Sequence, residues 1–213
     1  MVPIRRNTMA DLKRAKLATE IHNSKYKPLT VDKPGTHYAI VGTKNKNNVN
    51  HGGSASISIY NPKVKGTQYS SARIKVQNYP ESIEVGWTDS SNGNWFLKFG
   101  QDETVIGFWP KNVFTALGEG ANYVEWGGEV FSPLGVPSPP MGSGYSERLK
   151  ENAKYDAYCS RQIKTINETD YVVNAVDTES FSDIVQYQVI DEGRVGADQH
   201  LVLFGGVGGF IGE

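Results

Sequence analysis

The sequence predicts an all-β protein, an antiparallel β-sandwich of jelly-roll type with a short N-terminal helix. Three observations lead there. From "THYAIVG" onward, short runs of alternating apolar residues recur between clusters of turn residues. The 213 residues include 23 Gly, 11 Tyr and 4 Trp, a turn-rich and aromatic composition. The runs also follow one another without the long helical periodicities that βαβ units need.

In chain order, "TMADLKRAKLATEIH" over residues 8–22 reads as a helix. Thr8 with Asp11 forms a capping-box pattern, and Leu17 and Ile21 share a face. It is expected to present a solvated basic face rather than to bind nucleic acid or membrane. After "THYAIVG", the runs "SASISIYNP", "ARIKVQNYP", "SIEVGW", "NWFLKFG", "TVIGFWP" and "YVEWGGEVF" read as strands. Pro62, Pro80 and Pro110 close three of them, where a missing N–H costs least. "KNVFTALGEG" predicts one or two helical turns ended by Gly118, and "SPLGVPSPPMGSG" a loop. "AKYDAYCSRQIKTI", "YVVNAVD", "IVQYQVID" and "HLVLFGG" complete the strands.

At 38% hydrophobic residues the chain can fill one sizeable core, so a single β-domain is expected. The net charge of −1 and a pI near 6.4 give no electrostatic reason to expect a nucleic acid or an anionic membrane as partner. No apolar run reaches the ~18 residues of a membrane-spanning helix. "MVPIRRNTMADLKRAK" lacks the apolar region of a secretory leader, so none is expected in the chain as read. The single Cys159 allows no internal disulfide, and no Cys/His spacing suits zinc, so neither metal nor cofactor is expected. The oligomeric state is not predicted.

Two segments carry chemistry. In "NYVEWGGEV", strand alternation puts Glu125, Gly127 and Glu129 on one face and Val124, Trp126 and Val130 on the other. The apolar set is the expected core face, and Gly127 would leave space beside Glu129 for an approaching chain. In "ESIEVGW", Ile83, Val85 and Trp87 share a face opposite Ser82, Glu84 and Gly86. Two carboxylates held together in a cleft resist ionising together, so they share a proton and offer an acid and a base at once. Other patterns are set aside. The glycine-rich tail has no helix after it to form a phosphate site, and no G-x-S-x-G elbow occurs. His22, His37, His51 and His200 are scattered, and His37 reads as a hydrogen-bonded structural residue. "NET" at 167–169 matches a glycosylation acceptor and has meaning only in an exported chain.

The ordered set "THYAIV", "YNPKV", "SIEVGW", "NWFLKFG", "VIGFWP", "NVFTAL", "ANYVEWGGEV" and "MGSG", over most of residues 36–145, resembles the neprosin family of plant proteins. "LVLFGGVGG" resembles that domain's closing strand, and residues 1–31 the remnant of a pro-segment or linker before a domain at 32–213. The resemblance implies a secreted, concanavalin-like sandwich and a glutamic endopeptidase that cuts after proline. Its catalytic residues would be Glu84 and Glu129, and Gly86, Gly127 and Tyr123 would line the substrate cleft. A proline-containing peptide or protein is the implied partner. The family has many residues and a cysteine pair between I-E-x-G-W and N-W-x-L-x-F-G, where this chain has only "TDSSNGN". An internal shortening near 88–94 is therefore expected, closed by good hairpin residues. Uncovered inner-face residues and new sheet edges would accompany it. The pair could then be active or inactivated by the shortening. Two further readings stay open, a non-catalytic sandwich that binds without turnover and a glycoside hydrolase with paired carboxylates.

Overall fold

The structure is a computed structural model that describes residues 34–84, 87–88, 94–100, 102–145, 158–195 and 200–210. Its strands are β1 (Thr36–Thr43), β2 (Asn50–Ser54), β3 (Tyr69–Asn78), β4 (Glu81–Glu84), β5 (Trp87–Thr88), β6 (Trp95–Phe99) and β7 (Thr104–Trp109). After two 3-10 turns, Lys111–Val113 and Leu117–Glu119, come β8 (Tyr123–Phe131), β9 (Tyr158–Arg161), β10 (Lys164–Asn167) and β11 (Val172–Asn174). β12 (Thr178–Ser182), β13 (Tyr187–Arg194) and β14 (His200–Gly206) complete the order. Every strand pairing is antiparallel, and the fold is the all-β sandwich that the alternation predicts. One sheet has the order β12-β1-β8-β3-β4, a second β11-β10-β2-β5-β6-β7 and a third β13-β14-β9.

The core joins one face of the first sheet to the other two. Ala39 and Val41 of β1, Ile74 and Val76 of β3, and Val124, Trp126 and Val130 of β8 meet Trp95 of β6 and Val202 and Phe204 of β14. Burying a side chain of this size stabilises by roughly 1.5–3 kcal/mol. The buried indoles also keep partners, Trp95 donating to the Leu117 carbonyl at 3.1 Å and Trp126 to that of Ser54 at 3.2 Å. Gly128, facing this core, admits no Cβ, which would fall 2.8 Å from Met141 and Phe204 carbons.

Several expectations need correction. "ESIEVGW" is not one strand: β4 ends at Glu84 in the first sheet, and Trp87 begins β5 in the second, opposite Gly52. Alternation therefore does not run from Ile83 to Trp87. "SASISIYNP" forms no strand beyond Ser54, although Ala55, Ile57 and Tyr60 rest against the core, while Ile59 is 91% exposed. Alternation marks a half-buried chain, but here the ladder extends no further than a single β-bridge at Ile57. The second 3-10 turn runs through Gly118 and ends at Gly120, whose φ of 105° suits the stop. β12, "TESFS", has no apolar alternation, and its place is set by its pairing with β1.

Trp87 and Thr88 pair with Phe96 and Trp95, so the short connection between them links neighbouring antiparallel strands. β7 lies at the edge of its sheet with Val105, Ile106 and Phe108 exposed, and Phe108 stacks on Phe96 at 5.7 Å. The N-terminal helix expected over residues 8–22 lies outside the described residues.

Among the described residues, three histidines pair with aspartates across element boundaries. His37 is buried against Asp183 at 2.8 Å, in keeping with a structural role, and His51 meets Asp170 at 2.8 Å. His200 places Nδ1 2.8 Å from the Ala175 carbonyl and Nε2 2.5 Å from Asp191. Both partners only accept, so the ring donates twice and is an imidazolium. Burial opposes its charge, but the bonds to Asp191 and Ala175 prevail and raise its pKa above the ordinary 6.5. For Asp191, burial is outweighed by hydrogen bonds from His200, Thr178 and Gly193, and its pKa falls to about 2. The stabilisation from His200 is present below about pH 6.5 and lost as pH rises through the raised value; that from Asp191 is present above about pH 4 and lost as pH falls toward 2. Thermal unfolding across pH should thus show greatest stability between about pH 4 and 6.5, and His200→Gln should flatten the decline above that window. An identical decline in the variant would refute the assignment.

Candidate active site

The face of the first sheet turned away from the core is lined with polar groups. Arg73 of β3 stands opposite Gly127 of β8, so Glu125 and Glu129 lie diagonally on either side of it. Lys75 faces Glu125 on one flank and Glu84 on the other, which puts Glu84 on this same face. Tyr38 of β1 stands opposite Glu129.

Arg73 gathers the three carboxylates. Its Nη1 donates to Glu84 at 2.9 Å and also contacts Glu129 Oε2, while Nη2 donates to Glu125 at 2.7 Å. Glu84 and Glu129 thus meet at one nitrogen atom, within two hydrogen-bond lengths of each other. The Tyr69 hydroxyl donates to the other oxygen of Glu129, and the Arg73 guanidinium lies 5.9 Å from the Tyr38 ring centroid. Glu129 is 0% exposed and Arg73 is also buried, whereas the Glu84 side chain is 37% exposed.

The electrostatics follow from this burial. Desolvation works against the Arg73 charge, but Glu129, Glu125 and Glu84 overcome it and hold the guanidinium protonated well above its ordinary range. Burial, with the Glu129 carboxylate beside it, pushes the Tyr69 phenol up, and burial with Glu129 does the same to Tyr38. Both hydroxyls therefore keep their protons and remain donors. Among the described residues, three carboxylates face two cations, Arg73 and Lys75, across β4, β3 and β8. One formal negative charge is left over.

Glu84 is positioned from its own strand. Glu81, also on β4, accepts from the backbone N–H groups of Thr115 and Leu117 at 2.8 and 2.9 Å. Burial opposes the charge, but these bonds together outweigh it and lower the Glu81 pKa. Asn78 donates to the carbonyls of Ala116 and Gly120, both at 2.9 Å. The 115–120 turn thus clamps the β3–β4 hairpin that carries Glu84.

The structure brings Glu84 and Glu129 together and reassigns their expected neighbours. Gly127 leaves no open space: its φ is 147°, and a Cβ there would strike the Ala39 carbonyl and fall 2.7 Å from Ile40 Cα. The neighbouring strand β1, rather than a ligand, makes the close approach. Tyr123 is buried, bonded to Glu125 and seated over Gly42, where a Cβ would collide with its ring. It therefore supports the carboxylate cluster and offers no open wall. Gly86 lies outside the described residues. Sequence reasoning missed Arg73, Glu125 and Tyr69 as members of the cluster. Their signal was present in "YSSARIKV", where Tyr69 and Arg73 alternate against the core residues Ile74 and Val76.

Removing one partner of a buried ion pair is costly, about 3–5 kcal/mol, whereas an exposed pair contributes about 1 kcal/mol or less. Urea unfolding should accordingly show Glu129→Ala destabilised by about 3–5 kcal/mol and Glu84→Ala by about 1 kcal/mol or less. Equal losses would contradict the burial difference between the two carboxylates.

A comparison with protein-family models matches residues 87–207 to Neprosin, more than half of the chain. The matched span contains Glu129 and runs past the end of β14, while Glu84 lies just before it. The chain belongs to the neprosin family, which relates it to peptidases.

Proposed function

We propose that the chain is a glutamic-type endopeptidase that hydrolyses peptide bonds after proline, with Glu84 and Glu129 as its acid–base pair. The observation that carries this reading is the meeting of both carboxylates on one nitrogen of Arg73, on the sheet face away from the core. This reading requires the two carboxylates to hold one proton between them. Glu84 is the member water can reach. The ionised member of the pair takes a proton from water as the oxygen attacks the peptide carbonyl, and the donors of Arg73 and Tyr69 supply positive potential where the oxyanion develops. The proton held by the other member of the pair then passes to the leaving amine as the C–N bond breaks. Two products form, one carboxylic acid and one amine.

One observation favours a second reading, a module of this family that binds peptides without cutting them. Glu129 has no exposed surface, whereas turnover needs it in contact with the substrate. Cleavage assays separate the two. With proline-containing peptides at acid pH, Glu84→Gln and Glu129→Gln should each lower kcat by about 10²–10⁴-fold, the usual contribution of a general acid or base. Cleavage by both variants at the unaltered rate refutes the peptidase reading, and saturable peptide binding without cleavage by the unaltered chain supports the binding module.

A further inference from the structure

Arg73 sits at the centre of the cluster, yet its carboxylate partners do not share it evenly. Nη1 serves both Glu84 and Glu129, while Nη2 is held at 2.7 Å by Glu125, which is itself buried. Tyr123 bonds Glu125 from behind. The guanidinium is therefore fixed in its plane by a carboxylate that takes no part in the proposed acid–base pair, and the planar fork presents one nitrogen to both members of that pair. No side chain stands opposite Arg73 on β8, because that position is Gly127. The guanidinium lies across the strand and contacts both Glu125 and Glu129, the residues on either side of Gly127 along this face.

We propose that Arg73, locked by Glu125, is the positioning residue of the glutamate pair and sets the pH range over which the pair works. This rests on the peptidase reading given above. A cation touching two carboxylates favours their ionised forms, and a third carboxylate behind it offsets that effect. The charged groups facing Arg73 are Glu84 from β4, Lys75 from its own strand, and Glu125 and Glu129 from β8. The titratable phenols are Tyr38 from β1, which also feels Asp183, Tyr69 from β3 and Tyr123 from β8. All three phenols are pushed upward and stay neutral, so the balance between Arg73 and the carboxylates governs the working range.

The two members of the lock carry opposite charge, and removing them should move the acid limb of the pH–rate profile in opposite directions. Arg73→Gln removes a positive charge in contact with the pair and should shift the acid limb of prolyl-peptide cleavage to higher pH by about 1–3 units. Glu125→Gln removes a negative charge and should shift it to lower pH. Arg73→Lys keeps the charge but loses the fork, so it should leave the limb near its original place while lowering kcat. A merely structural role would lower the rate of each variant and leave the limb where it was, and that result overturns the proposal. If Arg73→Gln does not fold, the directions of Glu125→Gln and Arg73→Lys decide. A second readout is independent of turnover: carbon-13 NMR titration of the glutamate carboxyls in the full chain, with the signals of the pair identified by their loss in Glu84→Gln and Glu129→Gln. Should the unaltered chain cleave nothing, the peptidase reading falls, and opposite displacements of this titration in Arg73→Gln and Glu125→Gln still establish the role of Arg73. Unmoved titrations refute it.

Discussion

A guanidinium and two of the three carboxylates around it are out of water, and neither sign could be there alone. The isolated burial of a charge costs several kcal/mol even after relaxation, and only close partners of opposite sign offset it. Arg73 therefore demands Glu125 and Glu129, and they demand Arg73. The requirement fixes the register of β3 against β8, since a slip of one residue would turn Arg73 into the core and bring Ile74 to the charged face. Tyr69 completes the set by donating to the Glu129 oxygen that Arg73 does not contact.

The two faces of the sheet depend on each other. Trp126, Val124 and Val130 anchor β8 in the core, and that anchorage holds Glu125 and Glu129 on the far side. Gly127 answers a demand of the backbone: its positive φ and missing Cβ accommodate the close approach of β1. A glycine that looks in sequence like an opening for substrate is, in the fold, a requirement of strand packing.

The candidate pair is asymmetric in support as well as exposure. Glu129 lies within a long strand with partners on both edges, whereas Glu84 ends the short edge strand β4. Its position is guaranteed by the clamp of Glu81 and Asn78 on the 115–120 turn. The shortest strand of that sheet thus owes its placement to side-chain bonds made at its other end. This division suits a site in which one carboxylate is held still and the other meets solvent.

The sequence by itself determined the antiparallel sandwich and the orientation of β8, because period-2 alternation in an unbroken strand maps directly onto two faces. Trp126 in the core and Glu129 opposite it were legible for that reason. The N–W–F–L–K–F and T–V–I–G–F–W runs were equally legible as β6 and β7. Only the tertiary structure decided that "ESIEVGW" breaks between two sheets, that "TESFS" becomes a strand beside β1, and that Arg73 joins Glu84, Glu125 and Glu129. Local pattern records which way a side chain points within its own strand; it does not record which strand will lie alongside, and counter-charges are supplied across strands.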